Sequence, residues 1–134
     1  MTRPISIEKV IDHERLTERL RALRDLVSTA RKETPDGLVS LALCGAAGQL
    51  LRDLYALVSR EPGARALPRL RRRQPPKLRD LSTMLLDAKL ALDAFAWAHR
   101  DHDDDYGDEW LTIEGIAFCN HSRKNLSPSR ADAP

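Results

Sequence analysis

Between Arg60 and Arg79 the chain carries eight cations, seven of them arginine, against a single acid, Glu61. That is net +7 within a protein whose 134 residues total +2, so the remainder is net negative. Arginine outnumbers lysine 17 to 5 overall, and guanidinium forks match phosphate oxygens in bidentate geometry. The candidate nucleic-acid contacts are therefore Arg65, Arg69, Arg71, Arg72, Arg73, Lys77 and Arg79. Lys77 and Arg79 stand at the start of an expected helix, where positive side chains oppose the macrodipole. Their placement makes sense if an anion binds there, because backbone N–H groups, dipole and cations would converge on it. No aromatic interrupts the segment, and Tyr55 is the nearest. This argues against base stacking and for contact with the phosphate backbone without sequence readout. The competing role is a solvated loop, or one that neutralises the stretch Asp101–Glu109, which holds six acids and no lysine or arginine.

A second constellation is His99-Arg100-Asp101-His102-Asp103-Asp104-Asp105. His99 and His102 share a helix face if the helix continues, with Asp103 or Asp105 as a third ligand and Cys119 and His121 within reach of the last segment. The alternative is that both histidines end an apolar stripe at a helix C-terminus, where positive charge is favourable. This spacing matches no strong metal motif, and we assign no metal or other cofactor. A calcium loop fits worse, because its glycine, Gly107, falls one place late and its twelfth position is Thr112. The chain contains no G-x-S-x-G and no glycine-rich phosphate loop, so the expectation is a protein that is not an enzyme. Zinc-finger spacing is absent, and no helix-turn-helix signature is convincing. Cys44 and Cys119 read as reduced core thiols.

The elements that must hold these residues are helical. Leu16, Leu20, Leu23, Val27 and Ala30 recur at helical spacing within a first helix over about Ser6–Lys32, with a kink or a short separate helix suggested near Asp12 and His13. Thr34-Pro35-Asp36 reads as the start of a second helix running to about Ser59. Its glycines, Gly45 and Gly48, are expected at close contacts between helices in the protein centre. Pro62 to Pro76 is a loop with four prolines. The third helix, roughly Lys77–His102, repeats Leu78, Leu81, Leu85, Ala88, Leu92 and Phe95, and Leu86, Leu90 and Trp97 are expected to widen its buried stripe. Asp103–Gly107 is a turn, and a fourth helix is expected from Asp108 through Phe118, although Thr112, Ile113 and Ile116 would also tolerate a strand. Five of the six aromatics lie between residues 95 and 118, where they should pack the third helix against the last segment. Residues 122–134 read as a flexible polar tail.

Hydrophobic residues at 42% and charged residues at 31% suit one globular domain, here residues 1–121. The expected fold is all-α, a compact bundle of four or five helices with a basic, proline-containing loop. No leader sequence opens the chain, and the longest uncharged run, Gly37–Leu51, is short for a bilayer, so a cytoplasmic protein with no membrane contact is expected. In size, helical content and lack of catalytic motifs the chain resembles the small helical subunit of multi-subunit CRISPR effector complexes. That resemblance covers residues 1–121 and transfers no functional residue. It implies several copies lining a guide RNA and a displaced strand. The partners expected are the backbone of RNA or single-stranded DNA, other protein subunits, and further copies of this chain. The alternative is a protein–protein interaction module, such as a regulator, inhibitor or small phage protein, that binds no nucleic acid.

Overall fold

The computed structural model describes residues 3–64, 67–70, 75–103, 107–114 and 118–119. Three helices dominate it: α1 (Ile7–Glu33), α2 (Leu41–Val58) and α3 (Leu78–His99). A small antiparallel sheet follows, with β1 (Arg100–Asp103), β2 (Gly107–Trp110) and β3 (Phe118–Cys119) in the order β1-β2-β3. The protein is therefore mostly helical, as its periodicity demands, but among the described residues it has three helices rather than four or five.

Helix α1 begins where Ser6 offers its hydroxyl to the Lys9 backbone N–H. It runs unbroken through the expected kink. Val10 and His13 are buried and extend the stripe of Leu16, Leu20, Leu23 and Val27, so the offset seen in the sequence is filled by a histidine on the core face. Thr34 does not start the second helix. It closes the first, donating its backbone N–H to the Ala30 carbonyl. The chain then crosses in extended form, with Leu38 bridged to Lys77 and the Val39 N–H bonded to the Pro76 carbonyl. Only then does Ser40 cap α2 by accepting from the Leu43 N–H. The pairing with residues 76–78 gives these backbone groups partners that an earlier helix start would have removed.

Helix α1 packs against both α2 and α3. The core gathers Leu16, Leu20 and Val27 of α1, Ala47, Leu50 and Leu54 of α2, and Leu81, Leu85, Ala88 and Leu92 of α3. Helix α2 is long and apolar enough to cross a membrane by length and composition, yet 44% of that stretch is buried inside the protein, and Asp53 within it is paired with Arg19 of α1 at 2.7 Å. The two α2 glycines do not mark close helix contacts. Gly45 is exposed with open space where a Cβ would sit, and the nearest atom to such a Cβ at Gly48 is the Arg52 guanidinium at 3.6 Å. Leu86, Leu90 and Trp97 also depart from expectation, being exposed by 45%, 56% and 69% on the far side of α3.

The described part of the last segment forms strands at Gly107–Trp110 and Phe118–Cys119 rather than a helix, and residues 115–117 lie outside the described residues. Leu111 donates its N–H to the His99 carbonyl, and Ile5 and Ile113 exchange backbone bonds with this edge. Ile5 and Thr112 form a parallel bridge, so the N-terminal residues, the end of α3 and the final segment share one backbone network. This places Trp110 only 1% exposed, edge-on to His13 at 4.9 Å and beside Phe95 at 6.1 Å, with the Arg100 guanidinium 4.5 Å over its ring. The β-branched Thr112 and Ile113 suit that pairing, and burial of the indole decides the matter. The turn residues 104–106 and the segment 120–134 lie outside the described residues.

Candidate functional site

Of the seven basic residues marked by the sequence, Arg69, Lys77 and Arg79 are described, and Arg65, Arg71, Arg72 and Arg73 lie outside the described residues. All three described cations are exposed. Arg69 lies 5.5 Å from the centre of the Tyr55 ring on α2, which draws the loop against that helix. Lys77 is the N-cap residue of α3 and supplies no side-chain cap. Its backbone is fixed by the bridge to Leu38, and Arg79 follows in the first turn beside Asp80. Two exposed cations therefore stand at this helix start, but the Leu78 N–H is bonded to the Gly37 carbonyl and the Asp80 and Leu81 N–H groups to the Lys77 carbonyl, so an anion here would meet the cations rather than the expected set of free backbone donors.

Arg79 does not stand with the loop alone. It shares a shallow cleft of about 300 Å³ with Arg24 and Arg31 of α1 and with Ser82 and Thr83. Arg24, Arg31 and Ser82 also line a larger groove of about 730 Å³ between α1 and α3, together with Arg21, Lys32 and Lys89. Windowed charge counting misses these α1 cations, because Asp25 lies between them and Glu18 and Glu33 flank them in the chain. Helical phase would have found them: positions 21, 24, 28 and 31 are spaced three, four and three apart and lie along one edge of α1.

Of the histidine cluster, His99 is described with its side chain, while the side chains of His102, Asp103 and Cys119 and residues 105 and 121 lie outside the described residues. His99 ends α3 and is only 3% exposed. Its Nδ1–H donates to the Arg3 carbonyl at 2.6 Å, and its Nε2 is hydrogen-bonded to the Glu61 carboxylate. Glu61 also receives the Arg3 guanidinium. Burial alone would raise the Glu61 pKa, but the His99 hydrogen bond and then Arg3 outweigh it and hold the carboxyl below its usual value. Both imidazole nitrogens of His99 are thus committed to tying the N-terminal residues to the turn after α2. His102 lies in β1, three residues beyond the helix end, so the shared helix face supposed for the two histidines is not formed. Among the described residues no group of three histidine, cysteine or acidic side chains is arranged to hold a metal ion. Cys44 is buried with its thiol free.

The buried His13 carried no sequence signal beyond its interruption of a stripe. Its Nε2–H donates to the Leu92 carbonyl at 2.9 Å, while Nδ1 is buried without a partner. The ring stacks on Phe95 at 5.8 Å. Burial pushes its pKa down to about 4, against a smaller upward effect of the Leu92 bond. His13 is therefore a neutral core residue that packs α1 onto α3 and Trp110.

No protein-family model, no curated protein and no solved structure matches this chain. What can be said of its function rests on its own residues.

Proposed function

We propose that this protein is a non-catalytic helical subunit that contacts the phosphate backbone of RNA or single-stranded DNA without reading sequence, inside a larger ribonucleoprotein or protein–DNA assembly. The observation that carries this reading is the net +7 of the 60–79 segment, together with the exposure of its described members Arg69, Lys77 and Arg79. Exposed arginines retain their donors for phosphate oxygens, whereas a core cannot hold them unpaired. A role as a small subunit of a CRISPR effector complex is one form of this proposal, and a cytoplasmic location goes with it.

The test is binding of mixed-sequence RNA, single-stranded DNA and duplex DNA at two salt concentrations. Replacing Arg71, Arg72 and Arg73 together by alanine should weaken binding about equally for all sequences. It should also lower the salt slope by roughly 0.7 for each single-strand phosphate that is no longer neutralised. The melting temperature should barely change. Unchanged affinity and slope would move the site elsewhere, and absence of binding by the wild-type protein would end the reading.

A protein partner is the second reading, and the exposed apolar side chains Leu86, Leu90 and Trp97 favour it. They share one face of α3 at helical spacing. Pull-down of other subunits that is lost on Leu90→Glu but kept in the arginine variant would support it over nucleic-acid binding.

A further inference from the structure

We propose that the groove between α1 and α3 is a second phosphate site, one that seats the backbone of a single nucleic-acid strand arriving from the 60–79 segment. This inference rests on the nucleic-acid reading above and assigns to it a path on the folded surface.

The two basic regions share a residue. Arg79 belongs to the basic segment and also lines the cleft with Arg24 and Arg31. Those two arginines line the larger groove with Arg21 and Lys32. Shared lining residues thus connect the start of α3 to the cations on the edge of α1, with Asp80 the acid among the cleft's lining residues. From Arg21 to Arg31 the helix rises about 15 Å, enough for several consecutive phosphates.

Cations also outnumber acids in the groove. Two acids, Asp25 and Asp93, line it. Asp93 is taken up by Lys89 at 2.7 Å. Arg31 makes a long contact of 3.4 Å with the Ser82 hydroxyl. Arg21 and Arg24 form no ion pair with a described residue, and both are exposed. Like charges three residues apart weaken a helix. A phosphate between them relieves that repulsion and gains bidentate bonds from each guanidinium.

Shape and lining select the ligand. The groove lies between two helices whose axes pack roughly 8–10 Å apart, narrower than a whole double helix, so it suits the backbone of one strand rather than both strands of a duplex. None of the described lining residues is aromatic, so bases gain no stacking platform there. Hydroxyls are present instead: Ser28 and Ser82 can donate to phosphate oxygens, while the Thr17 hydroxyl already donates to the His13 carbonyl at 2.8 Å.

The experiment is fluorescence anisotropy with a labelled mixed-sequence RNA strand, the same DNA strand and its duplex, at low and moderate salt. The variants are Arg21→Ala/Arg24→Ala/Arg31→Ala, the same three positions changed to lysine, and the Arg71–Arg73 alanine triple. The groove alanine variant should bind single strands roughly ten-fold more weakly, with the salt slope reduced by about two units at ~0.7 per phosphate. The lysine version should restore the slope, and duplex binding should change little. Weaker binding in the Arg71–Arg73 variant with no change in the groove variant would overturn the groove site and leave the proposed function standing. Failure of the wild-type protein to bind either strand would overturn both. Failure of the lysine version to restore the slope, in a protein that melts like wild type, would show that the arginines do not neutralise phosphates. Displacement of the strand by polyglutamate as readily as by unlabelled RNA would make the groove a protein-docking face and also overturn the proposal.

Discussion

His13 shows how one residue sets the acid stability of this protein. In the folded state its ring is neutral down to about pH 4, while an unfolded chain takes up a proton near its ordinary value of 6.5. Between these values the unfolded state binds more protons, so stability is full above pH 6.5 and falls as pH drops toward 4. The decrease should approach roughly 3 kcal/mol at the lower limit. Urea denaturation at several pH values should show it, and His13→Gln should flatten the dependence in that window whatever its absolute stability. The lowered Glu61 pKa acts in the same direction. Its contribution is present above the usual carboxyl range and is lost as pH falls through the folded value. Because Glu61 faces buried His99 and is 15% exposed, Glu61→Gln should cost about 1–3 kcal/mol. Arg3, at 56% exposed, is worth less, and Arg3→Ala should cost under about 1 kcal/mol. Equal destabilisation by the two variants would contradict these roles within the cluster.

At the scale of elements, the periodic stripes of α1 and α3 were legible because their spacing is local. Leu16, Leu20, Leu23 and Val27, and Leu78, Leu81, Leu85, Ala88 and Leu92, are all buried as the spacing demands. The boundaries were less legible. Thr34-Pro35-Asp36 has good chemistry for a helix start, but the cross-chain pairing of residues 38–39 with 76–77 delays α2 to Leu41. The α2 glycines invite a concrete test. Gly45 sits in a helix interior with nothing near the place of a Cβ, so Gly45→Ala should stabilise the protein by up to about 1 kcal/mol through helix propensity. A fall in melting temperature would mean that Gly45 does meet another surface. Gly63 is the opposite case. Its φ of 83° ends the turn after α2 in the left-handed region, where an L side chain is strained.

At the scale of the whole molecule, helices of 27, 18 and 22 residues account for half of the 134-residue chain. Far-UV circular dichroism should be dominated by helix, and a strand-dominated spectrum would contradict the fold. Trp110 reaches from the small sheet into the helical core beside His13 and Phe95, so sheet and helices should unfold together. In a Trp97→Phe protein, where Trp110 is the remaining indole, fluorescence and circular dichroism should give coincident urea transitions. Separate transitions would show that the sheet leaves the core first. The candidate site belongs to this scale too. Arg69, Lys77 and Arg79 were visible as members of a linear basic run. Arg21, Arg24 and Arg31 became part of a site only when α1 was laid against α3 with Arg79 at the end of the groove.

The amino-acid sequence by itself determined the helical class, the faces of α1 and α3 that enter the core, and the presence of a strongly basic segment before α3. These follow from period and composition, which act between near neighbours in the chain. Tertiary structure alone decided that residues 107–112 run as strand and bridge rather than helix, because backbone groups of Ile5, His99, Leu111 and Ile113 find their partners across the chain and the Trp110 indole is buried in that arrangement. It also decided that Leu86, Leu90 and Trp97 face outward, since a helix packed on one side leaves even apolar residues on its other side exposed. Likewise, His99 became the partner of Glu61 when two loops distant in sequence met at the end of α3. Such pairings depend on which surfaces meet, and that is set by the packing of the whole chain rather than by any local run of residues.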